Sequence, residues 1–268
     1  MSAASLPMYD LPEVRPALGA LWAALARHLA QAGIADVPAA LAGEQPLATL
    51  WRRPDLLLSQ CCGYDLVNAH TGILRPLATP CYAAPGCAGP RYVSIVVVAE
   101  RSPARGLEDL RGGVCAINGW GSHSGMSALR ALIAPLGRRG RFFAKIEVSG
   151  THSASLGMIA RGEADVAAID CVVHALLARH RPAALRGTRP LTETAGAPAP
   201  PLVTRARVGD DVVARLRAAL VAAFEDPALA AAREDLLLAG IEVLPPAAYL
   251  RIRAFERYAA RHGYPVLA

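Results

Sequence analysis

The chain has 268 residues, 53% of them hydrophobic and 19% charged, and a net charge of +6 that comes mainly from arginine. That length can bury a large core as one long domain or as two lobes, and no run of about 18 uninterrupted apolar residues marks a membrane-spanning helix. Aromatic residues are only 5%, and the arginines concentrate only at 137–141 and 251–261. A nucleic-acid surface would want a basic stripe with stacking rings or a reading helix, and neither is visible. Those runs are expected to be solvated faces whose mild positive potential favours a small anionic ligand.

Ala3–Met8 is expected to be a first strand, and Tyr9–Pro12 a turn into a helix striped by Leu18, Leu21, Trp22, Leu25 and Leu29, with Gly33 as its stop. A short helix around Leu47–Trp51 leads to an apolar strand at Asp55–Ser59, after which Gln60–Tyr64 turns into the next helix. Leu74–Ala78 is a further strand, Pro80–Pro90 a turn-rich connection, and Tyr92–Ala99 (YVSIVVVA) the strongest strand of the chain, suited to burial on both faces. Leu107–Leu110 is a short helix.

Val114–Ile117 then forms a buried strand, Asn118–Ser124 a polar loop, and from Gly125 onward Met126, Leu129, Leu132 and Ile133 recur at helical spacing. A strand that ends in a Gly/Ser loop and opens a helix gathers backbone N–H groups at one spot, and the helix dipole adds partial positive charge there. Ser122, Ser124 and Ser127 add hydroxyls. The site therefore suits an anion, the alternative being that Ser122 or Ser124 only caps the helix.

Ile146–Ser149 is the next strand, followed by Gly150–Ser153 and a helix through Leu156 and Ile159 closed by Gly162. Ala164–Asp170 is a strand ending in an acid, Val172–Arg179 a helix, and Arg189–Thr194 a strand. The Pro-rich Ala195–Pro201 is a crossing segment and Leu202–Thr204 a returning strand; Asp210–Glu225, Pro227–Ala239 and Pro246–His262 are mostly helical, with Ile241–Leu244 as a strand. Strands separated by helices imply a parallel or mixed sheet. Ligands of such sheets bind at the carboxyl ends of the strands. The polar clusters Tyr9–Asp10, Gln60–Tyr64, Asn118–Ser124, Gly150–Ser153 and Asp170 all fall there.

Cysteines stand at 61, 62, 81, 87, 115 and 171, with no C-x-x-C and no zinc-type spacing, so neither metal nor cofactor is expected. Cys115 and Cys171 lie beside or within strand-like apolar segments and are expected as buried, inert thiols. Cys62 and Cys87 lie in loops and could pair in an oxidising compartment.

In order, YDLPE, YVSIVVVA, AINGWGSHSGMSALR, VSGTHSASLGMIARGEADVAAID and PLVT resemble the phosphate, phosphite and phosphonate substrate-binding proteins of ABC importers, over nearly the whole chain. The resemblance implies an α/β, two-lobed fold of type II periplasmic binding proteins. Each lobe would be a mixed or parallel sheet flanked by helices, with two crossing hinge strands and a ligand held in the cleft. The expected lobes are 1–92 with 200–268, and 93–199.

By the family's pattern the Ser-x-Ser-Gly loop, here Ser122, His123, Ser124 and Gly125, grips an oxyanion. His152 and Asp170 match a ligand-facing His and an acid that accepts from a protonated ligand or an amine. Tyr9 and Tyr82, with Tyr64 as a weaker match, line the first lobe, and Gln60 joins them at its strand end. His123 departs from the small hydroxyl residue usual at that position, and either adds a switchable cation or points outward. The implied partners are a small anionic ligand and an ABC permease, with no nucleic acid and no membrane insertion, the protein acting as a monomer. The implied location is the periplasm, although MSAASLPMYDLPE lacks the basic and apolar regions of a secretory signal, which leaves the cytoplasm open.

Three other readings compete. A Ser/His/Asp hydrolase could use Ser122 or Ser124 with His152 and Asp170, but no G-x-S-x-G elbow is present. A pyrimidine-synthase-like enzyme on the same fold would use His123 or His152. The effector domain of a transcription regulator would need a DNA-reading helix pair, and none is apparent.

Overall fold

In the computed structural model, residues 2–43 and 45–268 are described. Along the chain come strand β1 (Ala3–Ser5), helices α1 (Arg15–Gln31) and α2 (Leu47–Arg52), β2 (Leu56–Gln60), α3 (Gly63–Val67), β3 (Leu74–Tyr82), β4 (Arg91–Tyr92), β5 (Ser94–Ala99) and β6 (Val114–Ile117). After a π-turn at His123–Ser127 follow α4 (Ala128–Ile133), β7 (Lys145–Val148), α5 (His152–Arg161), β8 (Val166–Asp170), α6 (Cys171–His180), β9 (Thr188–Glu193) and β10 (Ala197–Pro198). The chain closes with β11 (Leu202–Arg205), α7 (Asp210–Glu225), α8 (Ala230–Asp235), β12 (Leu238–Glu242) and α9 (Leu250–Arg261).

The chain divides into two compact units: unit 1 holds residues 1–83, 88–90 and 198–248, and unit 2 holds residues 84–87, 91–197 and 249–268. Unit 1 is built on a mixed sheet in the order β1-β2-β11-β3-β12, in which β1 and β2 are parallel and β11 and β12 run antiparallel to their neighbours. The leucine stripe of α1 is buried as its periodicity requires, against α7. Leu21, Trp22, Leu25 and Leu29 are each worth about 1.5–3 kcal/mol in area removed from water. Trp22 keeps its polar end satisfied by donating Nε1–H to the carbonyl of Pro38 at 3.1 Å.

Unit 2 repeats the architecture with the order β7-β6-β8-β5-β9: β6 is parallel to β7 and β8, and β5 antiparallel to β8 and β9. Ile95 to Val98 of β5 and every residue of β8 are buried, as a strand covered on both faces demands.

Three expectations are corrected. The third strand does not stop at Ala78 but runs on to Tyr82, through Pro76 and Pro80. Proline lacks the N–H that a ladder needs, and the register of each neighbour slips nearby, between Leu202 and Val203 on β11 and between Leu238 and Gly240 on β12. Pairing on both sides overrides the turn signal. In the same way the helix expected over 227–239 ends at Asp235, because 238–242 are taken up as β12 beside β3.

Finally, residues 249–268 belong to unit 2, not to the lobe of 200–248. The Ala268 carbonyl accepts from the Phe142 and Phe143 amides at 2.7 and 3.1 Å, and the Arg130 guanidinium holds the Pro265 carbonyl at 2.9 Å and Glu256 at 3.4 Å. None of these partners is adjacent in sequence, so local pattern could not show them.

Candidate ligand-binding site

In unit 2 the Ser-rich loop becomes a helix by way of the π-turn. The Ser127 amide donates to the Ser122 carbonyl at 3.1 Å, five residues back. Such widened turns recur at functional sites. Ser122 is its cap: Oγ accepts from the Gly125 amide at 3.0 Å and sits 3.4 Å from Ser124 Oγ. Ser124 Oγ in turn is 3.0 Å from His152 Nε2. All three side chains are buried.

Gly125 is required here for a steric reason. A Cβ at this position would lie 1.9 Å from Asn118 Oδ1 and 3.3 Å from His152 Cε1. The backbone of the turn thus runs directly beneath the Asn118 amide. Asn118 Oδ1 is itself buried with no hydrogen-bond partner among the described residues, an acceptor in the Asn118–Ser124 cluster that the resemblance does not name as a ligand residue.

His152 is the first residue of α5, whose cap is Thr151 (Oγ1 accepting from the Ala154 amide at 3.0 Å). Burial pushes the His152 imidazole down to about 4, and the Ala168 carbonyl only partly opposes this. The imidazole is therefore neutral, through desolvation by burial. His123 is also neutral, its pKa lowered to about 3 by burial and secondarily by the nearby Arg130 cation. It is neither outward-pointing nor poised as a cation: its ring stacks edge-on against Phe255 of α9, 4.9 Å between centroids, with Tyr92 at 6.3 Å. Phe255 had no local signal, because it reaches the loop only when α9 folds back onto α4.

Asp170 is buried at the end of β8. Its Oδ1 accepts from the Val172 and Val173 amides at 2.8 and 3.3 Å, so the acid caps α6. His152 Nδ1 has no carboxylate partner among the described residues, so the Ser124–His152 contact is not extended into a Ser-His-Asp relay.

In unit 1, Tyr9, Gln60 and Tyr82 come together from three strand-end segments. Gln60 Nε2 donates to Tyr82 Oη and to the Pro200 carbonyl, each at 3.0 Å, and the rings of Tyr9 and Tyr82 meet edge-to-face at 5.0 Å. Tyr64 lies within α3. Cys87 does not form a disulfide with Cys62; Cys87 Sγ lies 3.5 Å from Cys171 Sγ. Among the described residues there is no cluster of His, Cys, Asp and Glu that could hold a metal and no helix long and apolar enough to cross a membrane.

Among curated proteins no significant sequence match is found. Solved structures of similar fold include PhnD1 of Prochlorococcus marinus in complex with methylphosphonate, with TM-score 0.76, 15% identity and 97% and 98% of the two chains covered. A binding-protein component of an ABC phosphonate transporter from Pseudomonas aeruginosa gives 0.75 at 17% identity, covering 97% of this chain and 87% of the other. A Xanthomonas citri protein bound to ATP gives 0.71 at 19% identity, covering 97% and 98%. At such identities the likeness shows the fold alone, that of type II periplasmic binding proteins. Sequence carries the family. The model of the phosphonate ABC-transporter periplasmic substrate-binding proteins matches residues 11–249, through the Ser-x-Ser-Gly turn and both sheets, and the chain belongs to that family.

Proposed function

We propose that the protein captures a small oxyanion of the phosphonate and phosphate class, seated at Ser122–Gly125, and presents it to an ABC permease from the periplasm. The observation that carries this reading is the buried, uncharged donor set of the turn: serine hydroxyls already linked to a neutral imidazole, over a glycine that leaves the backbone bare. First-turn amides precede any intrahelical acceptor, and hydrogen bonds to an ionised oxygen are roughly twice as strong as neutral ones. Neutral donors bind an oxyanion without the cost of burying a second charge.

In this reading Ser122, Ser124 and His152 touch the ligand oxygens, and Asn118 and Asp170 favour a ligand that still carries a proton or an amine. Tyr9, Gln60 and Tyr82 are proposed as further candidate ligand contacts. His123 holds the turn in shape from behind. The protein is a binder and not an enzyme. The 3.0 Å Ser124–His152 contact is the observation that favours a hydrolase, but among the described residues no carboxylate orients the imidazole, and the sequence has no G-x-S-x-G elbow.

Titration calorimetry of the ligand-free protein with methylphosphonate, phosphate and phosphite tests the proposal. Saturable one-site heat with at least one of them, and a melting temperature that rises with its concentration, is expected. Absence of heat with all three sinks the oxyanion reading, and turnover of an activated ester lost in Ser124→Ala sinks the non-enzymatic one.

A further inference from the structure

The function above makes no use of the two thiols that meet in unit 2. Cys171 is the first residue of α6 and fully buried; Cys87 closes a short turn, its amide donating to the Ala84 carbonyl at 3.0 Å, and is half-buried. Their sulfurs are 3.5 Å apart although 84 residues separate them. The approach is built into the backbone. Gly86 adopts φ +87°, and a Cβ there would lie 2.6 Å from Val93 Cγ2 and 3.3 Å from Cys171 Cβ, so the turn lies flat against the start of α6. The Cys171 amide is fixed by the Val93 carbonyl at 3.2 Å. Reaching a bonded distance of about 2.05 Å requires the two sulfurs to close by about 1.5 Å.

The structure assigns Cys87 and Cys171 as a pair that forms a disulfide on reaction with a small-molecule or protein disulfide. Cys87, the accessible sulfur, attacks as thiolate on one sulfur of the oxidant, forming a mixed disulfide and releasing one thiolate leaving group. Cys171 loses its proton and attacks Cys87 Sγ, which forms the intramolecular bond and expels the second leaving group. Two protein thiols are oxidised and one disulfide is reduced to two thiols, with no other reactant. The hydrogen bond that Cys171 gives Cys87 lowers the Cys87 pKa, and the same contact together with burial raises that of Cys171, matching attacking and resolving roles. Burial raises the pKa of Cys61 and Cys115, which leaves those thiols poor nucleophiles. A soft-metal site is not the better reading, because no third ligand joins the pair among the described residues.

The reduced full-length protein, incubated with oxidised glutathione and read by denaturing mass spectrometry, should lose two hydrogens. Fragmentation should place the link at Cys87–Cys171. Cys87→Ser should abolish the loss, whereas Cys171→Ser should accumulate one glutathione on Cys87. Melting followed by circular dichroism establishes that each variant is folded, and Cys87→Ser carries the test by itself if Cys171→Ser is not. The assignment is overturned if all six thiols survive, if the link maps to Cys61, Cys62, Cys81 or Cys115, or if wild-type protein stops at the mixed disulfide.

Discussion

The Ser122–Gly125 turn of unit 2 and the Tyr9–Gln60–Tyr82 cluster of unit 1 use opposite means to present polar groups. The turn is nearly contiguous in sequence and held by caps and a neutral histidine. Its donors are fixed before any ligand arrives, so little ordering remains to oppose binding. The cluster is assembled from residues up to 73 positions apart in the chain and held by one amide bridging a phenol and a carbonyl. A change in the turn should therefore act on affinity through geometry and charge, and a change in the cluster through single, replaceable contacts.

The largest expected effect is at Gly125. Gly125→Val must displace Asn118 or open the turn, and should lower methylphosphonate affinity by about 100-fold or more and destabilise the fold by roughly 2–4 kcal/mol, as overpacked or strained sites do. Calorimetry and denaturant unfolding check both numbers. Near-normal binding would show that the turn is not the anion seat.

Formation of the Cys87–Cys171 bond should come next on the stability scale. Closing a loop of 84 residues is worth up to about 4.5 kcal/mol in the chain-entropy account. That predicts a melting temperature higher by on the order of 10 °C in the oxidised protein, read by calorimetric melting with and without reductant.

Acid should act on unit 2 through two buried histidines. His123 and His152 are held neutral, with folded-state values of about 3 and about 4 against an ordinary 6.5. The unfolded chain therefore binds more protons between those limits, and stability is lost as pH falls through this window. At pH 5 each histidine should cost roughly 2 kcal/mol relative to pH 8. His123→Phe, which keeps a ring against Phe255, should remove about half of that loss. An unchanged acid slope in this variant would break the assignment.

Ser124→Ala deletes one hydroxyl and should weaken methylphosphonate binding by about 10- to 100-fold, the range of one hydrogen bond to a charged group. The melting temperature should move by only a few degrees. Tyr82→Phe should have the smallest effect, about 1 kcal/mol or less, because Gln60 keeps its bond to the Pro200 carbonyl. If Tyr82→Phe proves costlier than Ser124→Ala, the order of the two regions is reversed.

Much of this architecture is legible in the residues. The period of α1, the continuous apolar run of β5 and the strand–loop–helix of 114–133 follow from side-chain spacing. Gln60 is marked by its place at a strand end, whereas Tyr82 is named only by the resemblance, since local pattern ends its strand at Ala78. The capping alternative offered for Ser122 is met in the structure, and Asp170 likewise caps a helix. Other features carry no local mark. Pro76 and Pro80 look like turn formers and sit in a paired strand. Cys87 has no pattern that points to Cys171 in preference to Cys62. Phe255 is separated from His123 by most of unit 2.

The sequence by itself determined the periodicities and the position of the Ser-rich strand–loop–helix turn, because these depend on residues within a few positions of each other. Tertiary structure alone decided that 249–268 pack into unit 2, that His123 is a buried packing ring instead of a cation, and that two thiols 84 residues apart come within 3.5 Å. Each of those outcomes is a contact between distant segments, fixed by which apolar faces find one another as the chain collapses, and no pattern along the chain encodes that choice locally.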